Sequence, residues 1–327
     1  MLFSRAPPRL PPPRPRTALE ESFKRLGIKP TKTPGWHLWP KILLYWIRRY
    51  SWAISRRIWS LTGQRWLYLK ECHGDADAEA ASIRYVRRHT TIPVPRVWGP
   101  FNWLGTRFIV MSRVPGHSFD IHEWTRMPRA TQDSIIAQLR YFVSQLRALP
   151  PPPSSTTICS VIGGPVHDSR IEFHPVGPFA DEDEMNWYVR QGMPMEWLKE
   201  RSPACYESHN RRHPLVLTHG DIAPRNIMIE GSTITAIIDW ENCGWYPEHW
   251  EYRKAHWASD DITPGGWNDR IREFVEPFDF ELEADRTIAP PGSAIGFPEG
   301  TQTRYRSVVV DIKDGLAFML EKQWTAY

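Results

Sequence analysis

Cysteine is scarce and scattered in this chain. The four present, Cys72, Cys159, Cys205 and Cys243, form no C-x-x-C pair, so their spacing indicates neither a zinc site nor a disulfide framework, and they read as reduced thiols. Long apolar runs are missing too. The cleanest one near the N-terminus, Ile42 to Ile47, is flanked by basic residues and falls far short of the roughly 20 residues that a membrane-spanning helix needs. Nor is there a secretory pattern, because Arg5 and Arg9 are followed by Pro11-Pro12-Pro13 instead of an apolar stretch. Cytoplasmic residence is the expectation. Glycine is sparse where it would matter most: between Trp52 and Lys70 only Gly63 occurs.

What is present suits a large folded body. Hydrophobic residues make up 41% of the 327 and charged residues 24%, which excludes a disordered chain and allows one large domain or two lobes. The net charge of +4 conceals an asymmetry. Residues 1–60 carry 13 Lys/Arg against 2 Asp/Glu, leaving the rest with 28 against 35. An acidic body is the wrong sign for phosphate neutralisation, so no nucleic-acid partner is expected there.

Residues 1–16 hold six prolines and four arginines, a composition that stays extended. Ile42, Leu43, Trp46, Ile47, Tyr50, Ala53 and Ile54 then recur at helical spacing among Arg48, Arg49, Arg56 and Arg57, predicting a basic amphipathic helix. Packing on the neighbouring lobe is its expected use; membrane contact is the alternative. Strands are predicted at Ile58–Leu61 and Arg65–Lys70 around a Thr62-Gly63-Gln64 turn. Asp75 caps a helix over about Ala76–His89, stopped by Ile92-Pro93-Val94-Pro95. A strand follows at Arg107–Met111, and the spacing of Ile135, Ile136, Leu139, Phe142, Val143, Leu146 and Leu149 predicts a long helix. Asp181-Glu182-Asp183-Glu184 reads as the solvated first turn of another helix, and Asp311–Trp324 as a closing one. The class is α+β: a small β-rich lobe, then a larger helical one.

The chemistry concentrates between Leu215 and Glu241. Three polar side chains with oxygen donors, Asp221, Asn226 and Asp239, sit amid apolar strand material. With Gly231-Ser232 as a two-residue hairpin turn, paired positions sum to 463, so Asn226 faces Ile237 and Asp239 lies two residues beyond on the same face. An amide oxygen and a carboxylate at that separation reach one hard cation such as magnesium. Asp221, on the loop entering the hairpin, is a third carboxylate able to take a proton.

The spacing Asp221, four residues, Asn226, followed by Asp239, resembles the kinase catalytic loop and its metal-binding aspartate. His219-Gly220-Asp221 and Asp239-Trp240-Glu241 are similar to the aminoglycoside phosphotransferase and choline kinase branch of the protein kinase-like fold, and the longer strings around them look most like fungal members. The resemblance covers about Leu61 to Ala258. It implies a two-lobed enzyme that uses ATP and Mg2+ to phosphorylate a hydroxyl of a small molecule. Asp221 would accept the hydroxyl proton; Asn226 and Asp239 would hold the metal; His219 would brace the loop. Lys70 would meet the nucleotide phosphates with Glu79 as its ion-pair partner, and the backbone of Ser112 and Val114 would bond adenine. Glu241, Glu248 and Glu251 would open the substrate-binding part, and Trp240, Trp245, Trp250 and Trp257 would pack lobes or core. The implied organisation is a tail over 1–35, a nucleotide-binding lobe over 36–114 and a catalytic lobe over 115–327. Two departures stand out: the sequence has no glycine-rich phosphate loop before Lys70, which favours a catalytically silent binding module as the alternative, and no activation segment ending in Ala-Pro-Glu, which disfavours protein substrates.

Overall fold

The computed structural model describes residues 66–72, 74–103, 106–151, 156–257 and 263–288, all within one compact unit that begins at Trp66. The extended tail, the basic helix around Ile42–Ile54, the strand at Ile58–Leu61 with its turn, and the closing helix Asp311–Trp324 lie outside the described residues. Among the described residues, no helix is long and apolar enough to cross a membrane.

A three-stranded antiparallel sheet comes first, ordered β1-β3-β2, from β1 (Leu67–Cys72), β2 (Val97–Trp103) and β3 (Thr106–Ser112). Helix α1 (Ala76–His89) crosses between β1 and β2. Its boundaries follow local chemistry: the Asp75 carboxylate accepts the N–H groups of Asp77 and Ala78, Asp77 and Glu79 fill the first turn, and Arg87, Arg88 and His89 fill the last. Sequence reading missed β2, whose Gly99 and Pro100 are poor strand formers. The strand persists through a register shift between Val97 and Gly99.

The chain then turns largely helical. After β4 (His117–Ser118) come α2 (Ile121–Arg126) and α3 (Arg129–Arg147), a short β5 (Cys159–Ser160), and the hairpin β6 (Val166–Asp168) with β7 (Glu172–Val176). Helices α4 (Glu182–Val189), α5 (Met195–Arg201) and α6 (Pro203–His209) lead to β8 (Leu215–Thr218). A 3-10 turn over Pro224–Asn226 opens the hairpin β9 (Ile227–Glu230) and β10 (Thr233–Ile237), followed by β11 (Gly244–Pro247), α7 (Trp250–Trp257), α8 (Trp267–Ile271) and α9 (Asp279–Arg286).

The predicted stripe on α3 is the buried one. Ile135, Ile136, Leu139, Phe142, Val143 and Leu146 share one core with Ile227, Ile229, Ile237 and Trp240, so this helix supports the hairpin from beneath. Each such side chain stabilises the fold by about 1.5–3 kcal/mol. Trp240, Trp245 and Trp250 are buried in the core, as expected, whereas Trp257 is partly exposed. All four cysteines are free and buried.

Candidate active site

Lys70 enters the site from β1, at the register position opposite Ile109 of β3. Its ammonium lies 2.8 Å from Glu79 Oε1, 2.6 Å from Asp239 Oδ1 and 3.6 Å from Glu241 Oε2. Burial alone would lower its pKa. The carboxylates of Glu79 and Asp239 outweigh that and raise it, so the nitrogen stays charged. Glu79 projects from α1 and is buried; without Lys70 its charge would be uncompensated.

Asp239 lies 169 residues further along the chain than Lys70. The hairpin that delivers it departs from the expected register. Pairs sum to 463 only at Glu230/Thr233 and Ile229/Ile234; a bulge at Thr235 then shifts the pairing, so Ile237 faces Ile227. Asn226 consequently sits opposite Ile238, whose N–H donates to its carbonyl at 3.0 Å, and not opposite Ile237. Strict alternation would then turn Asp239 to the other face. Instead its φ of 66° puts a non-glycine residue in the left-handed region, and its carboxylate reaches Lys70. The bulge and the left-handed residue thus replace the simple diagonal expected from the sequence.

Asp221 sits on the loop between β8 and the 3-10 turn. Asn226 Nδ2 donates to its Oδ2 at 2.7 Å and to its backbone carbonyl at 2.9 Å. That orientation leaves Asn226 Oδ1 as the atom able to ligate a cation. Arg225, four residues after Asp221, donates to Asp221 Oδ1 at 2.5 Å. Sequence reading passed over this arginine, although the spacing on a tight turn was a usable signal.

His219 links the two halves. Its Nδ1 accepts the Asp221 N–H at 3.1 Å, and its Nε2 is 3.1 Å from the Ile238 carbonyl. A carbonyl only accepts and an amide N–H only donates, so the proton is assigned to Nε2 and the ring is neutral. Burial lowers its pKa against the nearby charges of Asp221 and Asp239, and Trp240 packs edge-on at 4.5 Å between ring centroids. A neutral bridge between the Asp221 loop and the strand before Asp239 fits bracing, not proton transfer.

Beneath the loop lies Glu251, where the resemblance has the substrate-binding part begin. It is buried, and its carboxylate accepts the His219 N–H at 2.6 Å and the Gly220 N–H at 3.1 Å. Burial pushes its pKa up to about 7, against those two backbone bonds and the charge of Arg147. Gly220 needs its residue type: φ is 80°, and a Cβ there would meet Asn242 at 3.0 Å. Glu241 stands beside Lys70, while the Glu248 N–H donates to Pro214 O and its own carbonyl accepts Arg147.

Ser112 and Val114 follow the sheet. The Ser112 N–H donates to Arg96 O at 2.7 Å and its hydroxyl accepts the Arg96 N–H at 2.9 Å, so of its backbone groups Ser112 can offer a base only the carbonyl. That narrows the expected pair of backbone contacts. Val114 lies two residues on, partly buried.

Residues 46–284 match the profile of a family described as the phosphotransferase enzyme family. The chain belongs to that family. Its fold is protein kinase-like, with a small sheet-rich N-terminal region and a helical C-terminal one. No curated protein matches the chain significantly. Among solved structures, it is similar to the GDP and kanamycin complex of APH(2")-IIia at 14% identity, covering 80% of this chain and 88% of that one, TM-score 0.47. It is similar to aminoglycoside-3'-phosphotransferase of type VIII at 18% identity, covering 68% and 83%, TM-score 0.43. A thermostable APH(4)-Ia with ADP and hygromycin B matches at 15% identity, covering 57% of this chain and 62% of that one, TM-score 0.38. This member of the phosphotransferase family therefore spans about 62% of the length of that enzyme.

Proposed function

We propose that this chain is a small-molecule kinase that moves the terminal phosphate of ATP to a hydroxyl group. The observation carrying this reading is the convergence of Lys70, Glu79 and Asp239 with Asp221 and Asn226 through His219. Lys70 carries fixed positive charge where polyphosphate would lie. Asp221 is accessible enough to accept a proton, and its orientation is fixed by Asn226 from the side and by Glu251 through the loop backbone. In the reaction, the acceptor oxygen forms a bond to the terminal phosphorus, the bond to ADP breaks, and the hydroxyl proton passes to Asp221.

Asn226 and Asp239 suit a hard divalent cation, since each presents an oxygen donor. Mg2+ held there would neutralise charge on the phosphates. Lys70 then has two tasks: it neutralises Asp239 when no nucleotide is bound, and contacts phosphate when one is. The Ser112 carbonyl and the Val114 N–H are the proposed adenine contacts. On this reading residues 36–114 form the nucleotide-binding lobe, residues 115–327 the catalytic lobe, and the motif strings are of the fungal type.

A panel of hydroxylated metabolites, amino alcohols and aminoglycosides, assayed for phosphate acceptance from ATP, tests the proposal. A second reading, a binding module without catalysis, is favoured by one feature, the lack of a glycine-rich loop before Lys70. A thermal shift with ATP that depends on Mg2+, together with turnover on some acceptor, supports the kinase. The shift without turnover, or no Mg2+-dependent shift at all, rejects the kinase and supports the module.

A further inference from the structure

A second cluster of ligating side chains lies away from the ATP site. Asp181 caps α4, accepting the Glu184 N–H, and sequence reading took the acidic run that follows it as a solvated face. Glu182 instead turns inward and is buried. Its Oε1 lies 2.9 Å from His213 Nδ1 and 3.0 Å from His249 Nε2. The two imidazole rings stand nearly perpendicular, at 86°, with centroids 4.6 Å apart, so one nitrogen of each converges on the same oxygen. All three atoms lie within 4.8 Å of one another, the one such group among the described residues.

We propose that Glu182, His213 and His249 form a site for a divalent transition metal, with Zn2+ as the cation of matching chemistry. Once His213, whose charged form Glu182 and Glu281 favour, gives up its Nδ1 proton, two imidazoles and a carboxylate are nitrogen and oxygen ligands of intermediate softness, which Zn2+ accepts and Mg2+ or Ca2+ does not favour. Three protein ligands leave a fourth position for water. The surroundings fix the ligands beforehand. Glu182 Oε2 accepts the His213 N–H at 3.0 Å. His213 Nε2 faces Glu281 Oε1 at 3.7 Å, and Glu281 is itself held by Arg211 at 2.9 Å. A carboxylate behind a ligating histidine is the usual outer partner. Phe278 lies about 6 Å from both rings, at 6.1 and 6.2 Å. On the far side Arg253 Nη1 stands 3.5 Å from His249 Nδ1. Metal binding places a hydrogen on that Nδ1, so this contact has to open, which limits affinity.

The competing arrangement uses protons alone: both histidines donate to Glu182 and no metal enters. The two states interconvert by proton movement: as the cation enters, His213 releases its Nδ1 proton to water and keeps the Nε2 hydrogen toward Glu281, while the hydrogen of His249 moves from Nε2 to Nδ1. They have the same architectural consequence. His213 precedes β8, which ends at the Asp221 loop, and His249 precedes α7, which carries Glu251. The cluster therefore anchors both segments that support the catalytic loop, and a metal there would tighten that anchorage.

The test uses untagged full-length protein, freed of metal by chelation and dialysed. Zn2+ uptake is measured by equilibrium dialysis with elemental analysis in excess Mg2+, and Co2+ is added as a spectroscopic probe. Expected are one Zn2+ bound per chain in the presence of excess Mg2+, a higher melting temperature with Zn2+, and the intense visible absorption of a four-coordinate Co2+ centre. His213→Ala and Glu182→Gln, checked for native circular dichroism, should each lose the Co2+ signal. Each should weaken Zn2+ binding by more than the roughly 10–100-fold that removal of an outer partner costs. Wild-type protein that takes up no more Zn2+ than the His213→Ala variant, or that gives only the weak spectrum of hydrated Co2+, overturns the proposal and leaves the proton-held cluster. Failure of both variants to fold is covered by the wild-type Co2+ spectrum, which decides the question alone. The result does not depend on the kinase reading, because neither measurement involves phosphate transfer.

Discussion

The protein holds two sets of charged side chains that look alike as lists and differ in their access to water. In the candidate site, the Lys70 side chain is 19% exposed, Asp239 35% and Arg225 55%. Among the helices of the C-terminal region, Asp285 is 0% exposed between Arg170, at 2.5 Å, and Arg253, with Trp257 Nε1 donating at 3.0 Å. Asp168 is equally buried, taking Lys254 at 2.8 Å and Trp250 Nε1 at 2.9 Å. Partly exposed charges can exchange partners when a ligand arrives. Buried ones cannot, because losing a partner leaves an uncompensated charge in a poor solvent. Glu79, 1% exposed, anchors Lys70 from within; around it, exposure more than residue type separates the charges free to change partners from those that fix the frame.

The largest effect should fall in the candidate site and be on rate alone. Asp221→Ala is expected to lower phosphate transfer by about 10²–10⁴-fold while the melting temperature and the ATP-induced thermal shift stay near wild type. Equal loss of binding and turnover would reject the role assigned to Asp221. The reverse is expected for Asp285→Asn. It strands Arg170 and Arg253, so urea unfolding should show a loss of about 3–5 kcal/mol.

Acid sharpens the same contrast. Burial would raise the Asp285 pKa, but the charges of Arg253 and Arg170 hold it at about 2, below its ordinary 3.8. A carboxyl depressed on folding stabilises above its unfolded pKa and loses that contribution as pH falls through the folded one. Between pH 5 and pH 2 the wild type should therefore lose stability more steeply than Asp285→Asn. Parallel curves would show that this pairing contributes nothing to acid lability.

Glu251 stands between the two sets, buried like a frame residue yet bonded to the loop that carries Asp221. Glu251→Gln turns one acceptor oxygen into an NH2 donor, so the Gly220 N–H loses its 3.1 Å contact and keeps only the 3.4 Å one to the oxygen that also holds the His219 N–H, a loss of about 1–3 kcal/mol. Turnover should fall while the nucleotide-induced shift persists. A variant that loses stability with unchanged turnover would make Glu251 a frame residue only.

What could be read from the sequence was local. Asp75 and the charges of the first and last turns set both ends of α1, the apolar spacing of α3 marks its buried face, and the intervals between Asp221, Asn226 and Asp239 mark the candidate site. What escaped was non-local or involved a single residue. Nothing near Thr235 signals the bulge that resets the hairpin, and a left-handed φ at Asp239 is not written in its residue type. Glu182 and Glu251 look like solvated helix glutamates until the fold brings His249 and the loop backbone against them. The partners Arg170 and Asp285 are 115 residues apart, and no periodicity connects them. Ser112 was assigned by resemblance, and only the strand pairing shows that Arg96 takes its N–H.

The smallest effect expected returns to the candidate site. Arg225 and Asp221 make as short a contact as Arg170 and Asp285 do, both at 2.5 Å, so distance alone would rank them equal. Their surroundings do not. Water can take over what Arg225 gives to Asp221, and holding a long, exposed side chain in one rotamer opposes the gain, so such pairs contribute about 0.2–1 kcal/mol. A double-mutant cycle with Arg225→Ala and Asp221→Asn, followed by urea unfolding, should return a coupling within that range. The cycle on Lys254 and Asp168 should return several times more, since each single change there leaves a buried partner unpaired. Raising the salt concentration should erase the first coupling and leave the second nearly intact. Equal couplings, or equal salt dependence, would mean that exposure is not what divides the two sets.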